Sequence, residues 1–157
     1  MRLDNEHPIN RLALARLRDP KRLRFRSEPI TAPDEHEDPY FAAGAHPDIV
    51  ERIWNDLNDS LPADCRAIVY GTPALVHPFA GVVLALAYGT AYAIRIPDDS
   101  IDDAIALGCR TEREWTSGGK TDIEDEFGRG WLFGAWLDKE VQWLGRVYRA
   151  LDGSIQR

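Results

Sequence analysis

Between Ala67 and Ile96 the chain passes through four apolar runs separated only by turn residues. Ala67–Tyr70 and Ala74–His77 are short. Val82–Tyr88 and Ala91–Ile96 are longer and meet at Gly89-Thr90, a tight hairpin signal. Pro78 to Gly81 supplies the turn before the third run, with proline at a favoured turn position and glycine relieving backbone strain. Connections this short specify an antiparallel meander. Val82–Tyr88 is almost uniformly apolar, the pattern of a central strand covered on both faces. In the fourth run Tyr92, Ile94 and Ile96 alternate with Ala91, Ala93 and Arg95, so the two sets face opposite sides of the sheet.

Helices are expected on both sides of this segment in the chain. Residues 8–18 (PINRLALARLR) combine a proline suited to a first turn with good helix formers, and Asp19-Pro20 stops the run. A second helix begins at Pro47, with Asp48 complementing its dipole. Its stripe of Ile49, Val50, Ile53, Trp54, Leu57 and Leu61 would cover the sheet, and Pro62 ends it. A short helix over Ile101–Leu107 is expected to be capped by Ser100 and ended by Gly108. Arg110–Trp115 reads as a strand turning at Ser117-Gly118-Gly119, and Phe127–Trp136 as a strand with bent ends. A closing helix from Asp138 to Leu151 buries Val141, Leu144, Val147, Tyr148 and Leu151. The expected fold is therefore α+β: an antiparallel meander of about 5–6 strands flanked by helices, in one compact domain with an N-terminal extension. With 157 residues, 44% of them hydrophobic, the chain can bury such a core without disulfide staples.

Charge divides the chain into three. Residues 1–26 hold eight Lys/Arg against three acids, a net +5, and read as a basic arm. Residues 27–45 hold five acids and no Lys/Arg, a net −5, in a proline-containing linker or strap that docks at Tyr40-Phe41. Residues 46–157 form the globular domain, and the whole carries −7. An acidic body repels nucleic acid, so general DNA or RNA binding is not expected. No apolar run approaches the roughly 18 residues that span a bilayer, and no secretory leader is evident. Cys65 and Cys109 offer neither a disulfide framework nor a metal spacing. A reducing, cytoplasmic setting, without metal or cofactor, is the resulting expectation.

Two acidic clusters and one histidine are the places where chemistry could sit. Asp98, Asp99, Asp102 and Asp103 follow an apolar strand, where paired acids can bind a metal or move a proton. At a helix start, however, carboxylates more often stabilise the dipole and the orphan N–H groups. His77, the only histidine inside the expected sheet, would act as a general base if it lay near Asp98 or Glu112. His36 in the DEHED tract has no second ligand at a metal spacing, and His7 and His46 flank prolines at helix starts without an evident role. Asp122, Glu124, Asp125 and Glu126 lack the glycine and the terminal glutamate of a calcium loop, and read as a solvated acidic surface that can steer a basic partner. The glycine- and aromatic-rich stretch after them packs most of its rings inside, with Arg129 left at a loop tip.

No phosphate-cradling loop, dinucleotide fingerprint, nucleophile elbow or zinc-helix motif is present. The expected role is a non-enzymatic interaction protein with an acidic surface for a basic protein partner. Small size, acidity and lack of a catalytic signature are shared with toxin-neutralising immunity proteins, and inhibitors or adaptors fit as well, by compositional analogy alone. Asp122, Glu124, Asp125, Glu126, Arg129 and Trp131 are the candidate contacts. The alternatives are a small hydrolase or metal-dependent enzyme using His77 with the Asp98–Asp103 acids, and self-association through the basic arm.

Overall fold

A computed structural model describes residues 3–19, 45–115 and 118–155. Five strands, β1 (Arg66–Val69), β2 (Thr72–Val76), β3 (Val83–Tyr88), β4 (Ala91–Arg95) and β7 (Trp131–Phe133), form one antiparallel sheet in that order. Between β4 and β7 the chain makes α3 (Ile101–Ala106), a two-stranded ribbon of β5 (Glu112–Glu114) and β6 (Lys120–Asp122), and α4 (Ile123–Phe127). The first four strands are the expected meander. The fifth comes from the glycine- and aromatic-rich stretch, shortened to three residues.

The sheet is covered on both faces, which is why β3 at its centre needs no polar side. Leu75, Tyr92, Ile94, Ile96 and Leu132 face one core, closed by α2 (Pro47–Glu51) with its continuation, and by α5 (Lys139–Ile155). Ala74, Val76, Ala91, Ala93, Trp131 and Phe133 face the other, closed by α1 (Arg11–Leu17) and α4. The alternation read from β4 is thus realised, down to Arg95 on the Ala91 and Ala93 side. The basic arm is not peripheral over its described part. Leu3, Ala13, Leu14 and Leu17 are buried in the second core. Asn10, fully buried, donates through Nδ2 to the carbonyls of Asp4 and Gly81, and accepts the Val83 N–H at Oδ1. Residues 20–44, with the acidic strap, Tyr40-Phe41 and His36, lie outside the described residues.

Several local expectations are corrected. The first hairpin turns at Tyr70-Gly71, where both φ angles are positive (49° and 79°), the pattern of a two-residue primed turn. Pro73 therefore lies within β2 rather than in the turn, and pairing to β3 begins one residue later at Ala74. From Arg52 the second helix widens into a π-helical stretch (Arg52–Leu57) and ends in a 3-10 turn (Asn58–Ser60). Ser100 does not cap α3. Its hydroxyl instead donates to Asp99 and accepts from Arg146 on α5, tying the two helices together. His7 and His46 do have roles: each accepts, through Nδ1, a backbone N–H two residues on, and so caps a helix start. Among the described residues, no helix is long and apolar enough to cross a membrane.

Candidate functional site

The second acidic cluster builds a helix the sequence reading missed. Asp122 accepts the N–H groups of Glu124 and Asp125, and Glu124, Asp125 and Glu126 fill the positive first turn of α4. The signal was legible: an aspartate followed by three acids is a helix start, but only five residues follow before Gly128 (φ 101°) ends it. The six candidate contacts consequently part company. Asp122 is spent on the cap, and Glu126 lies 3.5 Å from Arg16 of α1. Trp131 is 2% exposed, wedged between Phe127 and the guanidinium of Arg95, 4.5 Å from its ring, and so presents no surface to a partner. Glu124, Asp125 and Arg129 are exposed.

Tertiary structure brings the two acidic clusters together. Asp98 and Asp102 from the start of α3, Glu124 from α4 and Arg129 from the loop before β7 line one groove of about 310 Å3, floored by Trp131 and Leu132. Glu124 lies 26 positions after Asp98 in the chain, and only the return of β7 to the side of β4 closes that distance. Asp99 is turned elsewhere, to Arg146 at 2.8 Å, which holds its carboxyl below the usual range. Among the described residues, no three His, Cys, Asp or Glu side chains stand close enough to share a metal ion.

His77 is engaged away from the Asp98–Asp103 acids. Its Nδ1 accepts the N–H groups of Phe79 and Ala80, which leaves Nε2 to carry the proton and donate it to Asp152 of α5 at 2.9 Å. The ring is fully buried beside Tyr148. Both nitrogens are therefore occupied by structure. Burial disfavours the imidazolium, and this outweighs the opposing pull of Asp152, so the His77 pKa is lowered. In the unfolded chain the ring takes up a proton near its ordinary pKa of about 6.5. The folded state resists, so the contribution of the neutral ring is complete above that pH and is lost as pH falls below it, towards the lowered folded value. We predict that the stability advantage of the native chain over His77→Gln, measured by urea unfolding, is smaller at pH 5 than at pH 7.5. A difference that does not change with pH would remove this assignment.

The most densely bonded polar centre was not foreseen. Glu140, in the first turn of α5, is 0% exposed. Its Oε1 accepts from the Tyr92 hydroxyl and from Arg52 Nη2 at 3.1 Å; its Oε2 accepts from Ala135 N–H at 2.7 Å and from the Cys109 thiol at 3.6 Å. The Tyr92 hydroxyl in turn accepts the N–H of Trp136, whose φ of 60° is unusual for a bulky residue. Desolvation, then the neighbouring carboxylate, pushes the Cys109 thiol up to about 12, so it stays protonated and unreactive at neutral pH. Burial would lower the Arg52 pKa, but Tyr92 and Glu140 reverse the shift and the guanidinium keeps its charge. A sequence signal existed for Glu140: it lies four and eight residues before Leu144 and Tyr148, on the buried stripe. The centre joins the π-helical stretch, β4, the Cys109 loop and α5, and the carboxylate's acceptor sites are turned to protein donors. This makes it a structural clamp. In comparisons with known proteins, no family model, no curated protein and no solved structure matches this chain.

Proposed function

We propose that this protein is a non-enzymatic interaction module that receives a basic segment of a protein partner in the groove between α3 and α4. One observation carries the reading: Asp98, Asp102 and Glu124, from two separate acidic stretches, line the same groove. These acids are not close enough to share one metal ion, whereas several lysine or arginine side chains of one segment can each meet one of them, and Asp103 and Asp125 add exposed charge on the same two helices. Arg129 at the rim carries the same sign as such a partner, and the three carboxylates outweigh that single charge. His77, bonded at both nitrogens, gives no support to the hydrolase alternative.

Exposed charge recognition of this kind is screened as the Debye length falls from about 10 Å at 0.1 M salt to about 3 Å at 1 M. The test is affinity capture from native lysate with the full chain and with Asp102→Lys/Glu124→Lys, which leaves the Asp122 cap intact. A stoichiometric partner held at low salt, released at high salt and lost to the double variant is expected. Capture that the double variant leaves unchanged would refute the groove as the binding surface.

A further inference from the structure

On the other side of Arg129 lies a cavity of about 560 Å3, within the size range of small-molecule sites. Its walls are largely apolar, with Ile9, Val82, Ile96, Val147 and Leu151 contributed by the N-terminal segment, the sheet and α5. Arg95 also lines it, although only 8% of that residue is exposed. A buried cation normally has an acid beside it, because leaving a charge unpaired in a low-dielectric site is costly. Arg95 has none. Its Nε donates to the Val83 carbonyl at 2.6 Å and its Nη2 to the Ile9 carbonyl at 3.2 Å, and its face lies over Trp131. These groups solvate the guanidinium without neutralising it, and Nη1 donates to none of the described residues. Burial lowers the Arg95 pKa to about 9, low for an arginine yet high enough to keep the charge at neutral pH.

Other charges around the cavity narrow the ligand. Arg129 adds a second, exposed cation on the wall, while Arg146 is already bonded to both oxygens of Asp99. Asp98 also lines the cavity, and its carboxylate works against ligands carrying several negative charges. One strong buried cation, one exposed cation, a repelling carboxylate and a hydrocarbon wall together describe a site for a single negative charge on an apolar body.

We propose that this cavity binds a small organic monocarboxylate, its carboxylate on Arg95 and Arg129 and its hydrocarbon part against Ile9, Val82, Val147 and Leu151. The proposal goes beyond the partner-binding reading and does not depend on it, since the groove's Asp102 and Glu124 take no part in the cavity. The carboxylate would supply the missing counter-charge, and a charge-assisted bidentate contact is the strongest form of that pairing.

The test is calorimetric titration of the full chain with octanoate, octanol and inorganic phosphate. Octanoate is expected to bind at least about tenfold more tightly than octanol, the difference a charged hydrogen-bonded contact makes. Arg95→Met keeps the length of the buried stem and removes the charge, so it is expected to fold and to lose that tenfold preference. Should it fail to fold, Arg129→Gln at the exposed wall is expected to weaken octanoate several-fold and to leave octanol unchanged. Equal affinity for octanoate and octanol, phosphate binding in preference to octanoate, or an octanoate affinity indifferent to both substitutions would each overturn the proposal. Asp102→Lys/Glu124→Lys is expected to retain octanoate binding, which separates failure of this site from failure of the partner groove.

Discussion

Glu140→Ala is expected to lower the unfolding free energy by about 3–5 kcal/mol, the cost of stripping one partner from a buried ion pair. The reason lies in what remains. Arg52, whose side chain is 8% exposed, keeps its guanidinium in place with only Asp56 and the Leu137 carbonyl to bond. The Tyr92 hydroxyl and the Ala135 N–H lose their acceptor in the same step. Each buried donor left without a partner carries a desolvation penalty of about 1–3 kcal/mol, partly recovered if water enters the space vacated. Urea unfolding with an unchanged m-value would register the loss as a shift in midpoint. The companion variant Arg52→Met/Glu140→Leu is expected to be far closer to the native chain, because apolar residues of similar volume can replace a buried pair at little cost. A single Glu140→Ala variant losing less than about 1 kcal/mol would show that the centre is no clamp.

Gly134→Ala should be comparably damaging for an unrelated reason, namely space. A Cβ at this position would stand 1.9 Å from Tyr92 Cε2 and 2.2 Å from Cζ, so the ring has to move. Yet Tyr92 is 1% exposed, its hydroxyl is held by Glu140 and the Trp136 N–H, and its carbonyl accepts the Gly134 N–H at 2.9 Å. Overpacking of a tight core costs about 1–3 kcal/mol, and displacing the ring adds the loss of the hydroxyl's bonds, so about 3 kcal/mol or more is expected. Thermal unfolding should show it as a drop of several degrees. Pairing the change with Tyr92→Leu gives the decisive comparison. If the clash is the cause, the double variant loses clearly less than the two single losses combined, whereas simple additivity would exclude the mechanism.

These two predictions rest on residues whose local pattern shows at most that they are buried, not what they meet. Glu140 reads as an ordinary first-turn acid favoured by the helix dipole, and Gly134 as one more glycine in a glycine-rich stretch. Four segments far apart in the chain had to converge before either could matter. The same holds for Arg95. Alternation placed it correctly on the Ala91 face, but its lack of a counter-charge among the described residues depends on which neighbours pack there. Trp131 shows the opposite. Its partner across the β4–β7 ladder is Arg95, and that register, not its chemical type, turned a candidate contact into core. The α4 helix was within reach of the sequence, since Asp122 and the acids behind it form a capped start.

The order and kind of the main elements follow from local sequence. Short apolar runs, interrupted by Gly89, Gly81 and Pro78, made the meander, and the stripes beginning at Ile49 and Val141 made the helices that cover it. These are local consequences of side-chain spacing and of what glycine and proline do to a backbone. Tertiary structure alone decided which charges meet. It set Asp98 and Glu124 on one groove, His77 on Asp152 and Glu140 against Arg52, and it left Arg95 without an acid among the described residues. Pairing and burial of charge depend on distances between segments remote in the chain, and periodicity carries no information about those distances.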